Sequence, residues 1–336
     1  MARRTAHLCI GLPGALGART TADLLAGHAD TLAVAGHHLP ASPETTRRAA
    51  WEITRDREAL AGAGLTRRDV EGTWEGIWRD AYRARPRDVV LAEDGFAGAT
   101  PEQAALALDA LAGFRTHLVV VAADPADLLA RAWTDAVVQG RSMPVLRFRD
   151  RMQDAGPGHE AARRWWAVQH LEEILERWTV HVPDHWVHVV VVSGDEQDRA
   201  AQAGRALGTM LGTRPLVAAP ETAPRPVAAR ALPSTVHSAV RDEARRWADL
   251  LRASSYDVHG DPDDLVPPLA AGPAGAEVPA ELSLDDRLRL TGGALADALA
   301  QLEGLRRENA RLQDRVPHQP TRARRGRFAF AGRSSR

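Results

Sequence analysis

Apolar positions along this chain follow two rhythms. Four short runs are nearly continuous in apolar, mostly β-branched residues: 6–12, 88–92 (Val89, Val90, Leu91), 117–122 (Leu118 and Val119 through Val121) and 186–193 (Val189 through Val192). Such runs predict strands covered on both faces. Residues 32–35 add a short fifth candidate.

Between the runs the period is helical. Thr100 reads as an N-cap, with Pro101 at the first helical position and Glu102 in the first turn. The Ala/Leu-rich helix behind it runs to Ala112 and stops at Gly113. Pro125 opens a second helix through Leu128, Leu129, Trp133 and Val137, closed by Gly140. Within 43–85, Trp74, Trp78 and Tyr82 recur every four residues, as on one packed helix face. Trp165, Val168, Leu171, Leu175 and Trp178 form a similar stripe over 160–178. Alternating strands and helices predict an α/β fold with a doubly wound, mostly parallel sheet. Ligands of such sheets sit at the carboxyl ends of the strands, here residues 12–20, 92–95, 122–125 and 193–195.

The pattern divides the chain into an α/β domain over 1–213, a Pro/Ala-rich linker over 214–233, and a helical completion of the domain over 234–268. That helix carries Val236, Val240, Ala244, Trp247 and Leu251 along one face. After a loose segment over 269–281, a long C-terminal helix is expected over 282–316, and then a basic, disordered tail over 317–336. Leu295, Ala298, Leu302, Leu305, Asn309, Leu312 and Val316 alternate by three and four, a coiled-coil seam with one polar core position. An Asn there favours a dimer, so a homodimer through 295–316 is expected.

Composition narrows the function. With 336 residues and 44% hydrophobic content the chain can bury a sizeable core, and a formal charge of −1 gives no pull toward nucleic acid or membrane. Cys9 is the single cysteine, so no intrachain disulfide can form, which agrees with a cytoplasmic protein. Arg3-Arg4 precedes an apolar run, but Gly11, Pro13 and Gly14 interrupt it, and it reads as a strand and turn rather than an export signal. No stretch approaches the roughly 20 apolar residues of a membrane span.

The strongest chemical signal follows the first strand. Pro13, Gly14, Ala15, Leu16, Gly17, Ala18, Arg19 and Thr20 form a glycine-rich loop that leads into a helical segment over 21–28. Strand, glycine-rich turn and helix together aim backbone N–H groups at an anion, usually a phosphate. A phosphate loop of this kind normally adds a lysine. None is present, because all 43 cationic side chains are Arg. Other chemistries lack their parts. There is no Gly-x-Ser-x-Gly elbow, Cys9 lies inside a strand, and Pro183 and the following strand break any shared face for His181, His185 and His188. No metal is expected.

These residues resemble the actinobacterial branch of the sulfotransferases, whose members open with a strand and a loop of the form HxGLPKTGTT. Ile10-Gly11-Leu12-Pro13 is similar to the start of that motif. Similar stretches follow in the same order: Val89-Val90-Leu91 before Thr100-Pro101-Glu102-Gln103, the strand end at 119–124 with Trp133 after it, Arg163-Arg164-Trp165-Trp166-Ala167-Val168-Gln169, Val187-His188-Val189-Val190 and Tyr256-Asp257-Val258-His259-Gly260-Asp261. The resemblance covers roughly residues 6–268. It implies a P-loop-type sheet, 3′-phosphoadenosine-5′-phosphosulfate as nucleotide donor, and a small-molecule acceptor seated by the segments 43–85 and 141–157.

The departures fall on the working positions. The family lysine that holds the phosphosulfate bridge is Gly14 here, with Arg19 as a candidate substitute cation. The family's strand-end Arg and the Ser eight residues later correspond to Ala123 and Arg131, so Arg131 is a candidate phosphate contact. A Ser-His-Glu-like group becomes Ala92-Glu93-Asp94, leaving Glu93 or Asp94 as the candidate base. The resemblance therefore implies a sulfotransferase-like protein with weakened or lost catalysis. The alternative is a pseudoenzyme kept as a binding or assembly module.

Overall fold

The computed structural model describes residues 4–17, 19–84, 87–138, 168–217 and 234–267. Its first half runs β1 (Thr5–Gly11), α1 (Thr21–Ala26), α2 (Ala29–Val34), β2 (His37–His38), α3 (Pro43–Thr54), α4 (Arg57–Gly62), α5 (Arg67–Val70), α6 (Thr73–Arg83), β3 (Asp88–Ala92), α7 (Pro101–Asp109), β4 (Arg115–Ala122) and α8 (Pro125–Val138). The remaining described elements are α9 (Leu171–Thr179), β5 (Val187–Val191), α10 (Glu196–Met210), α11 (Ser234–Ala253) and β6 (Asp257–His259).

The six strands form one sheet in the order β2-β3-β1-β4-β5-β6, and every neighbouring pair is parallel. The doubly wound α/β expectation is thus met. β1 lies between β3 and β4, so the chain steps first to one side of β1 and then to the other. That makes its carboxyl end the topological switch point, where side chains from three strand ends can converge. β1, β3, β4 and β5 supply fully buried side chains such as Leu8, Ile10, Val89, Leu118, Val120 and Val189.

Trp74 and Trp78 on α6 are buried, with Trp74 5.2 Å edge-on from Phe96 and Trp78 5.5 Å from Phe114. The aromatic period is therefore a packing face. On α11, Val240, Ala244, Trp247 and Leu251 are buried as the pattern requires. Among the described residues no helix is long and apolar enough to cross a membrane. The expected coiled coil, the loose segment over 269–281, the basic tail, the candidate acceptor segment 141–157, Trp165 and most of the linker lie outside the described residues.

Three expectations change. Residues 32–35 are not a strand: α2 covers Ala29–Val34, burying Leu32 and leaving Val34 91% exposed. Four apolar residues cannot separate the two periods, and burial of one side chain per turn suits a helix here. The stripe over 160–178 does not run as one helix through its described part, because His170 takes an extended conformation and N-caps α9. Tyr256-Asp257-Val258-His259-Gly260-Asp261 contains a sixth strand, too short and polar to carry a strand signal.

One face of the sheet carries a row of histidines. His7 and His117 are register partners on β1 and β4, with ring centroids 5.1 Å apart, and His37 on β2 lies 6.0 Å from His7. Burial and neighbouring imidazoles push His7 down to about 3, and burial with His188 and Arg115 nearby brings His117 to about 4. Both rings are therefore neutral at physiological pH.

Candidate functional site

At the end of β1 the chain turns twice. The Leu12 N–H extends the ladder to the Val121 carbonyl at 2.8 Å, the Ala15 N–H then returns to the Leu12 carbonyl at 2.9 Å, and the Gly17 N–H to the Gly14 carbonyl at 3.0 Å. Gly14 and Gly17 have φ of +87° and +80°, the left-handed region that glycine enters without a Cβ penalty. Ala15 and Leu16 are buried in the core. Thr20 and Asp23 form a reciprocal capping box: the Asp23 N–H donates to Thr20 Oγ1 and the Thr20 N–H to Asp23 Oδ2, each at 3.1 Å. Three backbone N–H groups of the loop thus already have acceptors, those of Ala15 and Gly17 inside it and that of Thr20 on Asp23 of α1. From outside, Gln169 Nε2 donates to the Pro13 carbonyl at 2.9 Å. Arg19 is partly buried beside the cap, and Ala18 lies outside the described residues.

Arg131 does reach the loop. A Cβ on Gly14 would lie 3.5 Å from Arg131 Cδ. Its guanidinium, however, is taken by carboxylates, with Nη1 paired to Glu196 Oε1 and Nε 3.6 Å from Asp127 Oδ2. Glu196 opens α10 and lies flat against Gly17, where a Cβ would come within 2.3 Å of Glu196 Cδ. Arg199, one turn further along α10, pairs with Asp127 and donates from Nε to the Gly194 carbonyl at 2.9 Å. Asp124, at the end of β4, accepts from the Ala126 N–H at 2.8 Å. Burial is the main reason its carboxyl is pushed up to about 7. Two guanidiniums thus face two carboxylates, with Asp124, a third acid whose carboxyl burial raises, close by. Among the described residues, each guanidinium of this cluster is paired with a carboxylate.

Glu93 and Asp94 are buried at the end of β3, not solvated. Glu93 Oε1 accepts from the Gly95 N–H at 3.2 Å, and burial raises its carboxyl. Asp94 packs on the last residue of β1: a Cβ on Gly11 would meet Asp94 Oδ1 at 2.3 Å, so any larger residue there would force the Asp94 carboxylate to shift. Burial first, then the Glu93 charge, pushes Asp94 up to about 7 against a backbone hydrogen bond from Gly11, and among the described residues Asp94 Oδ1 has no hydrogen-bond partner. Beside it the Cys9 thiol is pushed up to about 12 by burial and the Asp94 charge, which keeps it a thiol.

The structure therefore brings the loop and Arg131 together, and places the acidic pair on the neighbouring strand end. Reading the sequence missed Asp124, Asp127, Glu196 and Arg199. Asp127 and Glu196 sit in first helical turns, where acids are commonplace partners of the helix dipole, so nothing marked them as a cluster.

No family model matches the chain, and no curated protein matches it significantly. Two solved structures are similar to it. A sulfotransferase from Alicyclobacillus acidocaldarius aligns at 16% identity with a TM-score of 0.48, over 75% of this chain and 97% of its own. The sulfotransferase domain from the curacin biosynthetic pathway aligns at 14% identity with a TM-score of 0.32, over 63% of this chain and 75% of its own.

Proposed function

We propose that this chain is a non-catalytic relative of the phosphosulfate-dependent sulfotransferases, in which a carboxylate of the protein itself occupies the place of the donor's anionic end. The carrying observation is Glu196, set against Gly17 of the loop and ion-paired to Arg131. A polyanionic nucleotide entering there would have to displace Glu196, strip it from Arg131, and compete with the acceptors already holding the N–H groups of Ala15, Gly17 and Thr20. As placed among the described residues, Arg131 and these loop N–H groups do not suit the donor. No substitute for the missing lysine reaches an anion through Arg131, whose charge is spent on Glu196 and Asp127. Losing one such charge-stabilising contact typically costs about 100-fold or more in rate. The reading extends to residues 295–316 as the element joining two copies; sedimentation should show a dimer that becomes a monomer when 282–316 are removed.

A second reading keeps sulfuryl transfer, and one observation favours it. Asp94 is buried at the switch point with its carboxyl near 7, the range that suits a base taking a proton from an acceptor hydroxyl. Calorimetric titration with adenosine 3′,5′-bisphosphate separates the two. The first reading expects no heat of binding up to millimolar ligand. Micromolar binding that is lost in Arg131→Ala or Arg19→Ala would overturn it in favour of the enzyme.

A further inference from the structure

At the β5–β6 edge of the sheet, three side chains converge. β5 and β6 are parallel with His188 opposite Asp257 and Val190 opposite His259. Residues two apart on a strand share a face, so Asp257 and His259 both point to the side that carries His188. Asp257 Oδ2 lies 2.8 Å from His188 Nδ1 and 3.0 Å from His259 Nε2. One ligand atom from each of the three residues falls within 4.8 Å of the others. Around a tetrahedral ion with bonds of about 2.0–2.1 Å, ligand atoms stand roughly 3.3 Å apart. Shifts of an ångström or less would therefore close the set on an ion.

The surroundings are those of a ligand site rather than of a chance surface contact. His188 is buried, and its other nitrogen, Nε2, lies 2.8 Å from His117 Nδ1 with the two rings within 10° of parallel. His117 is held in turn by Trp186, stacked 5.7 Å away. When Nδ1 of a ligating histidine faces the ion, Nε2 carries the proton and needs a fixed acceptor; His117 Nδ1 is placed to be one. Register is fixed too. Ser255 Oγ bonds Asp184 Oδ2 at 2.7 Å just before β6. Just after it, Gly260 takes φ +98° so close to β5 that a Cβ would come within 2.5 Å of the Val191 carbonyl. Asp257 is exposed and His259 half-buried, which leaves water free to complete the coordination.

We propose that His188, Asp257 and His259 bind a divalent transition-metal ion of the zinc class, with His117 as the positioning residue behind His188, and that the ion ties the three-residue edge strand β6 to β5. Two imidazoles and one carboxylate suit zinc, cobalt or nickel; magnesium and calcium call for all-oxygen sites. The site lies toward the amino end of β5, away from the loop after β1, and is independent of the function proposed above.

The test uses full-length protein without a histidine tag, stripped with a chelator and titrated calorimetrically with Zn²⁺. One ion per chain is expected, with micromolar or tighter affinity, alongside visible absorption when Co²⁺ is used instead. His259→Ala and Asp257→Asn should each weaken this at least 100-fold, and His117→Phe by about 10- to 100-fold. Zn²⁺ should raise the melting temperature of the wild-type protein by several degrees and leave that of His259→Ala unchanged. Absence of binding up to 1 mM Zn²⁺, or binding that survives in both His259→Ala and Asp257→Asn, would overturn the site. Since both of those side chains sit at the sheet edge, their circular dichroism should match wild type, and an unfolded variant would be replaced by His259→Gln.

Discussion

Glu196→Ala tests the central structural claim, that an internal carboxylate neutralises the cation at the loop. Glu196 and Arg131 keep only 14% and 11% of their side-chain surface exposed, so both charges are largely desolvated. Breaking a buried pair from one side costs about 3–5 kcal/mol, because the remaining charge is left uncompensated. Arg131 would retain Asp127 at 3.6 Å, but that carboxylate already serves Arg199. The residual contact lowers the expected loss to about 2–3 kcal/mol. For a domain of this size each kcal/mol moves the melting temperature by about 2–4 °C, so a drop of about 4–12 °C is expected. Urea unfolding followed by tryptophan fluorescence is the assay, since the chain has nine tryptophans. Arg131→Met and the double variant complete a cycle whose coupling free energy isolates the pair. The freed guanidinium should also give the variant an anion site, so inorganic phosphate should stabilise Glu196→Ala more than wild type. A loss below about 0.5 kcal/mol, or a coupling energy near zero, would refute the reasoning.

Two further outcomes follow from the same corner of the sheet. Gly11→Ala should destabilise by about 1–3 kcal/mol in urea, because its Cβ would meet buried Asp94 Oδ1 at 2.3 Å; Gly11→Ala combined with Asp94→Ala should recover part of that loss. The second outcome concerns pH. Asp94 and Asp124 are raised from 3.8 to about 7 in the folded protein, so between about pH 4 and 7 the folded state holds more protons than the unfolded one, and their contribution to stability falls as pH rises. His7 and His117, lowered to about 3 and about 4, act in the opposite sense, adding stability up to about pH 6.5. Asp94→Asn removes one falling component. Relative to wild type it should gain stability from pH 5 to 7, by up to about 1.4 kcal/mol per pH unit, and a difference curve flat across that range would count against a buried, proton-holding Asp94.

The sequence alone determined the parallel α/β architecture, since continuous runs such as Val119 through Val121 and Val189 through Val192 can only be satisfied when both faces of a strand are covered. It also located the loop after β1, the Thr100 cap and the α11 packing face, because glycine placement, capping and helical period are local properties. It flagged Arg131, Glu93 and Asp94, but not their state. Whether Arg131 is a free cation depends on Glu196, 65 residues away, and whether Asp94 holds a proton depends on its burial against Gly11 on another strand. β2 and β6, with only two and three residues, carry no hydropathic signal of their own and exist because a neighbouring strand offers a ladder. The same pairing sets His188 beside Asp257, 69 positions apart in the chain. Charge neutralisation, proton occupancy and ligand convergence are properties of distances through space, so only the tertiary structure decided them.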